Sequence, residues 1–171
     1  MIRSDNRIST ILEIIHNNPG IQFRELMKQS GMKNGVLSHY VNKIESRGMV
    51  KIERNPKQTK FFPLNITNSD QKIISALRKE TPKKIILYLM SEGNKGVEFS
   101  AIPDKIGKSQ STVSFYLSQL VEDEIISIQI DNRQKKYFVK DRKSVDGLIE
   151  SYHPGIVSSA ADSFADTFNS L

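Results

Sequence analysis

Hydroxyl and amide side chains crowd into one short stretch in the second half of the chain: Ser109, Gln110, Ser111, Thr112 and Ser114. Such groups donate and accept hydrogen bonds, which is the chemistry that contacts base edges in a DNA major groove. Three aliphatic residues, Val113, Leu117 and Leu120, recur at helical spacing in the same stretch. The stretch therefore predicts a helix that buries one face and presents base-contacting groups on the other.

A cationic hairpin is predicted immediately after this helix. A β-branched run at 125–130 indicates one strand, a polar turn follows, and 137–139 form a second short strand. Four cations flank the helix or lie in the hairpin: Lys108, Arg133, Lys135 and Lys136. Because Lys and Arg supply the sequence-independent affinity for nucleic acid, these four side chains are predicted to hold DNA phosphates.

The order of helix, strand, cationic hairpin and strand is typical of a winged helix-turn-helix. It resembles the MarR- and ArsR-type DNA-binding regulators, whose recognition helix follows S-x-S-T-V-S-x-x-L-x-x-L. The matching residues are Ser109, Ser111, Thr112, Val113, Ser114, Leu117 and Leu120. The resemblance implies that this helix enters a major groove while the hairpin, the wing, follows the DNA backbone. The ArsR-type metal sensors use cysteine-rich sites, and the chain has no cysteine, so metal sensing by that route is excluded.

The same plan occurs twice, because an offset of 76 residues aligns 18–64 with the later stretch without a gap. The identical pairs fall at turns, buried helix positions and the hairpin: Asn18/Asn94, Gly20/Gly96, Phe23/Phe99, Gly31/Gly107, Ser38/Ser114, Tyr40/Tyr116, Ile52/Ile128, Gln58/Gln134, Lys60/Lys136 and Phe62/Phe138. A repeat of this kind predicts two successive modules of one fold.

In the first module, the predicted third helix covers 35–47 and buries Leu37, Val41 and Ile44. Its polar face carries Lys33, Asn34, Ser38, His39, Asn42 and Lys43. The amide, hydroxyl and imidazole groups are predicted to contact base edges, and the two lysines to hold phosphates. An ordinary solvated helix face has the same residue types, but their recurrence in the second module favours the DNA-binding interpretation.

The first wing is predicted to turn at 55–58, between strands at 49–54 and 59–64. Arg54, Lys57 and Lys60 complete the predicted phosphate-binding set of this module, and Lys57 and Lys60 are expected to extend from the hairpin tip.

The predicted fold class is mostly α with small β-hairpin wings (α+β): two tandem winged helix-turn-helix domains plus a C-terminal amphipathic helix. The boundaries are 1–66 for the first domain, 67–81 for a connector helix, 82–141 for the second domain and 142–171 for a helical tail. Gly31 stands where the chain turns between two helices, a site that favours a residue tolerant of positive φ.

The tail carries an apolar stripe at helical spacing: Val157, Ala160, Ala161, Phe164, Phe168 and Leu171. Since its other side is polar and acidic, we predict a docking helix or a homodimer contact; packing back on the connector helix is the alternative. Phe115, on the exposed face of the second recognition helix, has two interpretations. It contacts a thymine methyl group, or it packs against the tail or a second subunit.

The 171 residues carry a net charge of +6, which favours a polyanionic partner. Residues 1–64 have a net charge of +6 and residues 84–140 of +1, so the first module is expected to bind DNA more strongly. The longest apolar run, 85–90, is too short to span a bilayer, and no signal peptide is evident, which predicts a cytoplasmic, nucleoid-associated protein. The three histidines lie in separate elements and no phosphate-binding glycine motif occurs, so no cofactor, metal or enzyme activity is predicted.

The sequence thus predicts a sequence-specific regulator of transcription that binds double-stranded DNA. No small-molecule effector is indicated. The alternative is a winged-helix protein–protein interaction scaffold in transcription or chromatin machinery, which the nearly neutral second module and Phe115 make a reasonable interpretation for that half.

Overall fold

The computed structural model describes residues 2–156, and the chain divides into two compact units, unit 1 at residues 1–71 and unit 2 at residues 72–171. Both are built mainly from helices, and each contains one three-stranded antiparallel sheet. The predicted α+β class with small hairpins is confirmed.

Unit 1 forms because aliphatic residues recur every three or four positions on its helices and meet one face of the sheet. Its elements are α1 (Ile2–Asn17), β1 (Ile21–Gln22), α2 (Phe23–Ser30), α3 (Asn34–Ser46), β2 (Lys51–Asn55) and β3 (Gln58–Phe62). Ile11, Leu26, Leu37 and Phe61 are almost completely buried at its centre. The sheet has the order β1-β3-β2, so β3 is its central strand.

A connector helix, α4 (Asn68–Leu77), follows unit 1's sheet and was predicted from its apolar spacing. Thr67 and Asp70 begin it together: the Thr67 hydroxyl lies 2.6 Å from a carboxylate oxygen of Asp70, and the Asp70 N–H donates to the Thr67 hydroxyl over 3.1 Å. The second bond satisfies an N–H group that a helix end would otherwise leave without a partner.

Unit 2 repeats the element order of unit 1. It contains α5 (Glu80–Ser91), β4 (Val97–Glu98), α6 (Ile102–Ile106), α7 (Gln110–Glu122), β5 (Ile126–Asp131), β6 (Gln134–Val139) and α8 (Arg142–Ile156). Its sheet order, β4-β6-β5, is the counterpart of β1-β3-β2. Ile85, Ile86, Ile102 and Val113 are completely buried in its core.

The 76-residue offset holds in three dimensions as well as in sequence. Helix α7 begins and ends 76 residues after α3. The pair Ile21 and Phe61 in the first sheet corresponds to Val97 and Tyr137 in the second. The predicted turn glycines have left-handed backbones, with φ of 65° at Gly31 and 67° at Gly107, which confirms that prediction.

Helix α8 buries Val145 and Leu148, and its first residue, Arg142, bonds to the main chain at the end of α5. The Arg142 guanidinium donates to the main-chain oxygens of Leu89, Met90 and Gly93 over 3.5, 2.8 and 3.4 Å. Leu89 and Met90 lie in the last turn of α5 and Gly93 just beyond it, where main-chain oxygens lack the helical donor four residues later. Within α8 the backbone leaves helical geometry at Tyr152, two residues before Pro154. The predicted apolar stripe at 157–171 lies outside the described residues.

Candidate nucleic-acid interface

The polar face of α3 lies where the sequence places it. Asn34 and Asn42 are exposed and Ser38 is half-buried between them, at i, i+4 and i+8 of one helix, while Leu37 and Ile44 on the opposite face are buried. The Ser38 hydroxyl donates to the Asn34 side-chain oxygen over 3.1 Å. Amide and hydroxyl groups in such a row can donate to and accept from successive base edges.

His39 extends the same exposed surface and contacts Tyr40. Its ring meets Tyr40 edge-on, with centroids 5.2 Å apart. The Arg7 guanidinium, from α1, lies 5.8 Å from the Tyr40 centroid in a cation–π contact. Lys33 is exposed just before α3, and Lys43 is half-buried near its end.

The wing of unit 1 corrects one of the predicted phosphate contacts. Lys57 lies exposed in the turn, which is tightened because the Asn55 side-chain oxygen accepts from the N–H groups of Lys57 and Gln58. Lys60 does not extend from the tip, and that prediction is wrong. It lies on the central strand between Gln22 and Glu53, is 8% exposed, and pairs with the Glu53 carboxylate over 3.3 Å.

Arg54 is exposed but engaged in a two-pronged ion pair with Glu45 of α3, over 2.6 and 2.7 Å. Its hydrogen bonds lower the pKa of Glu45 and raise the pKa of Arg54. The pair links the wing strand β2 to α3. A phosphate bound by Arg54 would therefore share the guanidinium with the Glu45 carboxylate or displace it.

In unit 2, the hydroxyl cluster at the start of α7 is partly used to cap the helix. The Ser109 hydroxyl accepts from the Thr112 N–H over 3.3 Å and lies 2.8 and 3.2 Å from the hydroxyls of Thr112 and Ser111. Gln110, Ser111 and Ser114 are exposed. Of the predicted base-contacting residues here, Ser109 and Thr112 thus have a structural role as well.

Two of the predicted cations of unit 2 are in ion pairs. Lys108 lies 3.2 Å from Glu80. Hydrogen bonds from Lys84 and, to a smaller extent, from Lys108 lower the pKa of Glu80. Lys136 lies 3.1 Å from Asp131. Arg133 and Lys135 are exposed, and the turn is a two-residue hairpin with φ of 48° at Asn132 and 67° at Arg133.

Sequence reasoning missed an apolar groove between α7 and the wing of unit 2. It has a volume of about 290 Å³ and is lined by Ser114, Leu117, Ser118, Val121, Glu122, Ile128 and Tyr137. Two further apolar side chains of these elements are exposed, Phe115 at 56% and Ile130 at 73%. The available signal was the alternation of Ile126, Ile128 and Ile130, which places three isoleucines on one face of a strand.

Within residues 2–156, no group of three or more His, Asp or Glu side chains is arranged to hold a metal ion. None of the helices in that part of the chain combines the length and apolar composition needed to cross a bilayer.

Residues 4–51 match the family model of the winged helix-turn-helix DNA-binding domain. This match covers α1 to the start of β2 and confirms the predicted winged helix-turn-helix in unit 1. A comparison with curated protein sequences found no match.

Solved structures similar to the chain include a point mutant of MepR from S. aureus bound to an oligodeoxyribonucleotide, at 20% identity over 78% of this chain and 83% of that one, with a TM-score of 0.39. A MarR-family transcriptional regulator from Rhodococcus sp. RHA1 is 18% identical over 57% of this chain and 82% of that one, with a TM-score of 0.36. Because both TM-scores are below 0.5, neither likeness adds to the fold assignment.

Proposed function

We propose that the chain is a sequence-specific transcription regulator that binds double-stranded DNA, with α3 of unit 1 in the major groove. The observation that carries the proposal is the row of Asn34, Ser38 and Asn42 along the outer face of α3, in a unit that matches a DNA-binding family model. The opposite face of the same helix is fixed in the core, so the row is held in one orientation.

Exposed cations at both sides of this row supply the phosphate contacts. Lys33 precedes the helix and Lys57 lies at the turn of the wing, so they can contact the DNA backbone on either side of the groove. Lys43 adds a third positive charge on α3 itself. The excess of positive charge in residues 1–64 supports unit 1 as the stronger DNA-binding half.

We infer that unit 2 is a second winged helix-turn-helix, since its elements and strand register repeat those of unit 1 at the same offset. The exposed Gln110 and Ser111 at the start of α7 are its best-placed base-contacting residues. A regulator of this kind would act on the nucleoid, in the cytoplasm. Formation of a homodimer through the tail remains a prediction.

Neutralising Lys33 and Lys57 together tests the proposal. The double variant Lys33→Gln/Lys57→Gln should lower the slope of log affinity against log salt by about two, at roughly 0.9 per lost phosphate contact. The slope is measured by fluorescence anisotropy of a labelled duplex, recovered from genomic fragments by selection on the wild-type protein.

The charge-matched control is Lys79→Gln/Lys143→Gln, which removes two exposed lysines near the start of α5 and on α8. This control should keep the wild-type slope, because neither lysine lies on α3 or on a wing. An unchanged slope in the Lys33/Lys57 variant, or an equal decrease in both variants, would refute the assignment of unit 1 as the DNA-binding half.

A further inference from the structure

Corresponding positions of the two units differ in chemistry between the third helix and the wing. In unit 1, Glu45 and Arg54 form the ion pair that joins α3 to β2. The residues 76 positions later are Val121 and Ile130, which are both apolar. His39 is likewise replaced by Phe115. The repeat has therefore exchanged a charged contact for an apolar surface at the same place in the fold.

This surface extends beyond what the core of unit 2 needs. Ile126 is 2% exposed and belongs to the core, whereas Ile128 and Ile130 on the same strand face are 42% and 73% exposed. Their partners across the hairpin are Tyr137 and Lys135. Strand β5 is also an edge of its sheet, and an exposed apolar edge invites association with another segment.

A DNA duplex does not match the chemistry of this groove. Its outer surface is a row of phosphates, whereas the groove is lined by Leu117, Val121, Ile128 and Tyr137 and includes the carboxylate of Glu122. Placing apolar side chains and an acid against phosphates would desolvate both, and the lining contains no lysine or arginine, only the hydroxyls of Ser114, Ser118 and Tyr137, to offset that cost. The groove therefore suits a segment with an apolar face and polar edges.

We propose that residues 157–171 of the chain occupy this groove as an amphipathic helix. The chain runs on for fifteen residues after α8, the last described element, and as a helix they would extend about 22 Å. Their apolar residues fall on one stripe that includes Phe164 and Phe168, four positions apart. Such a stripe matches a groove lined by aliphatic and aromatic side chains.

Charge supports the same occupant. The segment contains Asp162 and Asp166 and no lysine or arginine. The hairpin beside the groove carries the exposed cations Arg133 and Lys135, and Lys135 pairs directly across the hairpin with Ile130. The acidic side of the segment can therefore face these cations while its apolar stripe covers the groove.

Because the natural chain has no cysteine, two introduced cysteines report on this docking without background. The full-length variant Ser118→Cys/Ala161→Cys places one thiol in the groove and one on the apolar stripe. With a short bismaleimide, its cross-linking should be about tenfold faster than that of Asn42→Cys/Ala161→Cys, because docking raises the effective concentration of the thiol pair. Asn42 is the counterpart of Ser118 in unit 1, 76 residues earlier.

Two additional changes, each made separately in the Ser118/Ala161 cysteine background, test the surfaces. Phe164→Asp/Phe168→Asp should reduce the rate to that of the control pair, and so should Val121→Glu/Ile130→Arg, which installs the ion pair of unit 1. Circular dichroism checks that each protein is folded.

A cross-linked product within one chain shows docking on the same molecule, a product between two chains shows docking on a second copy, and both support the proposal. Equal rates at positions 118 and 42, or no loss of rate in the Phe164/Phe168 variant, would overturn it.

Discussion

Units 1 and 2 share their element order and strand register, and their third helices, α3 and α7, have corresponding bounds, yet they present different chemistry between the third helix and the wing. Unit 1 has an ion pair there between Glu45 and Arg54, whereas unit 2 has Val121 and Ile130 at the corresponding positions. The buried positions of both helices remain aliphatic. The difference teaches that the core specifies the fold, while a few exposed positions decide whether the surface suits a duplex or an apolar segment.

The two wings differ in the same direction. The Lys57 turn is linked through β2 to α3 by the Arg54–Glu45 pair. The second wing has two six-residue strands, and Ile130 on its strand β5 stands at the position that corresponds to Arg54. A cationic tip is common to both, because Arg133 replaces Lys57. Net charge alone therefore understates how different the two surfaces are.

The largest expected effect is on the free energy of unfolding, and its measurement tests whether the two units have separate cores. Ile44 and Leu120 are 76 residues apart and are 1% and 2% exposed. Ile44→Ala should lower the free energy of unfolding of unit 1 by about 2–5 kcal/mol through lost burial and a residual cavity, and Leu120→Ala should do the same to unit 2. Amide hydrogen exchange measures each unit separately. If either variant reduced protection equally in both units, the cores would not be independent.

An intermediate effect is expected on DNA selectivity. Asn42→Ala should cost about 1–3 kcal/mol in affinity for a selected duplex relative to random DNA, because a base-contacting amide is lost. Ser118→Ala, its counterpart in the groove of unit 2, should change the same difference by less than about 0.5 kcal/mol. Competition binding with the two duplexes gives both values. Similar losses in the two variants would mean that unit 2 contacts bases through the groove side of α7.

The smallest effect concerns the ion pair itself. Glu45→Gln should change the free energy of unfolding by less than about 1 kcal/mol, since both side chains are well exposed to solvent. It should raise duplex affinity at low salt, because a negative charge is removed and Arg54 is released toward phosphate. A decrease in affinity would show instead that Arg54 serves the interface by holding the wing in place.

The pH dependence of the pair has a definite sign. Because Arg54 lowers the pKa of Glu45 in the folded protein, the contribution of the pair to stability is fully present above the ordinary value of 4.5 and is lost as the pH falls through the lowered pKa. Comparing the thermal unfolding of wild type and Glu45→Gln across this range isolates the contribution.

Much of the fold could be predicted from the sequence because it depends on local spacing. The apolar period of α3, the turn at Gly31 and the offset of 76 residues each follow from positions along the chain. Lys60 could not be placed correctly in the same way. It is only two residues after the turn, but β3 is the central strand, so a neighbour on each side encloses its side chain.

By itself, the sequence determined the class of the protein, the position of the polar face on α3 and the existence of a repeat, because periodicity and turn residues act through near neighbours. Only the tertiary structure decided which cations are exposed, and it alone joined Glu45 to Arg54 and brought Val121 near Ile128 across a groove. Nine residues separate Glu45 from Arg54, and seven separate Val121 from Ile128. Contacts of that kind exist only after the helix and the hairpin have packed against each other, since no local pattern specifies which of their side chains meet.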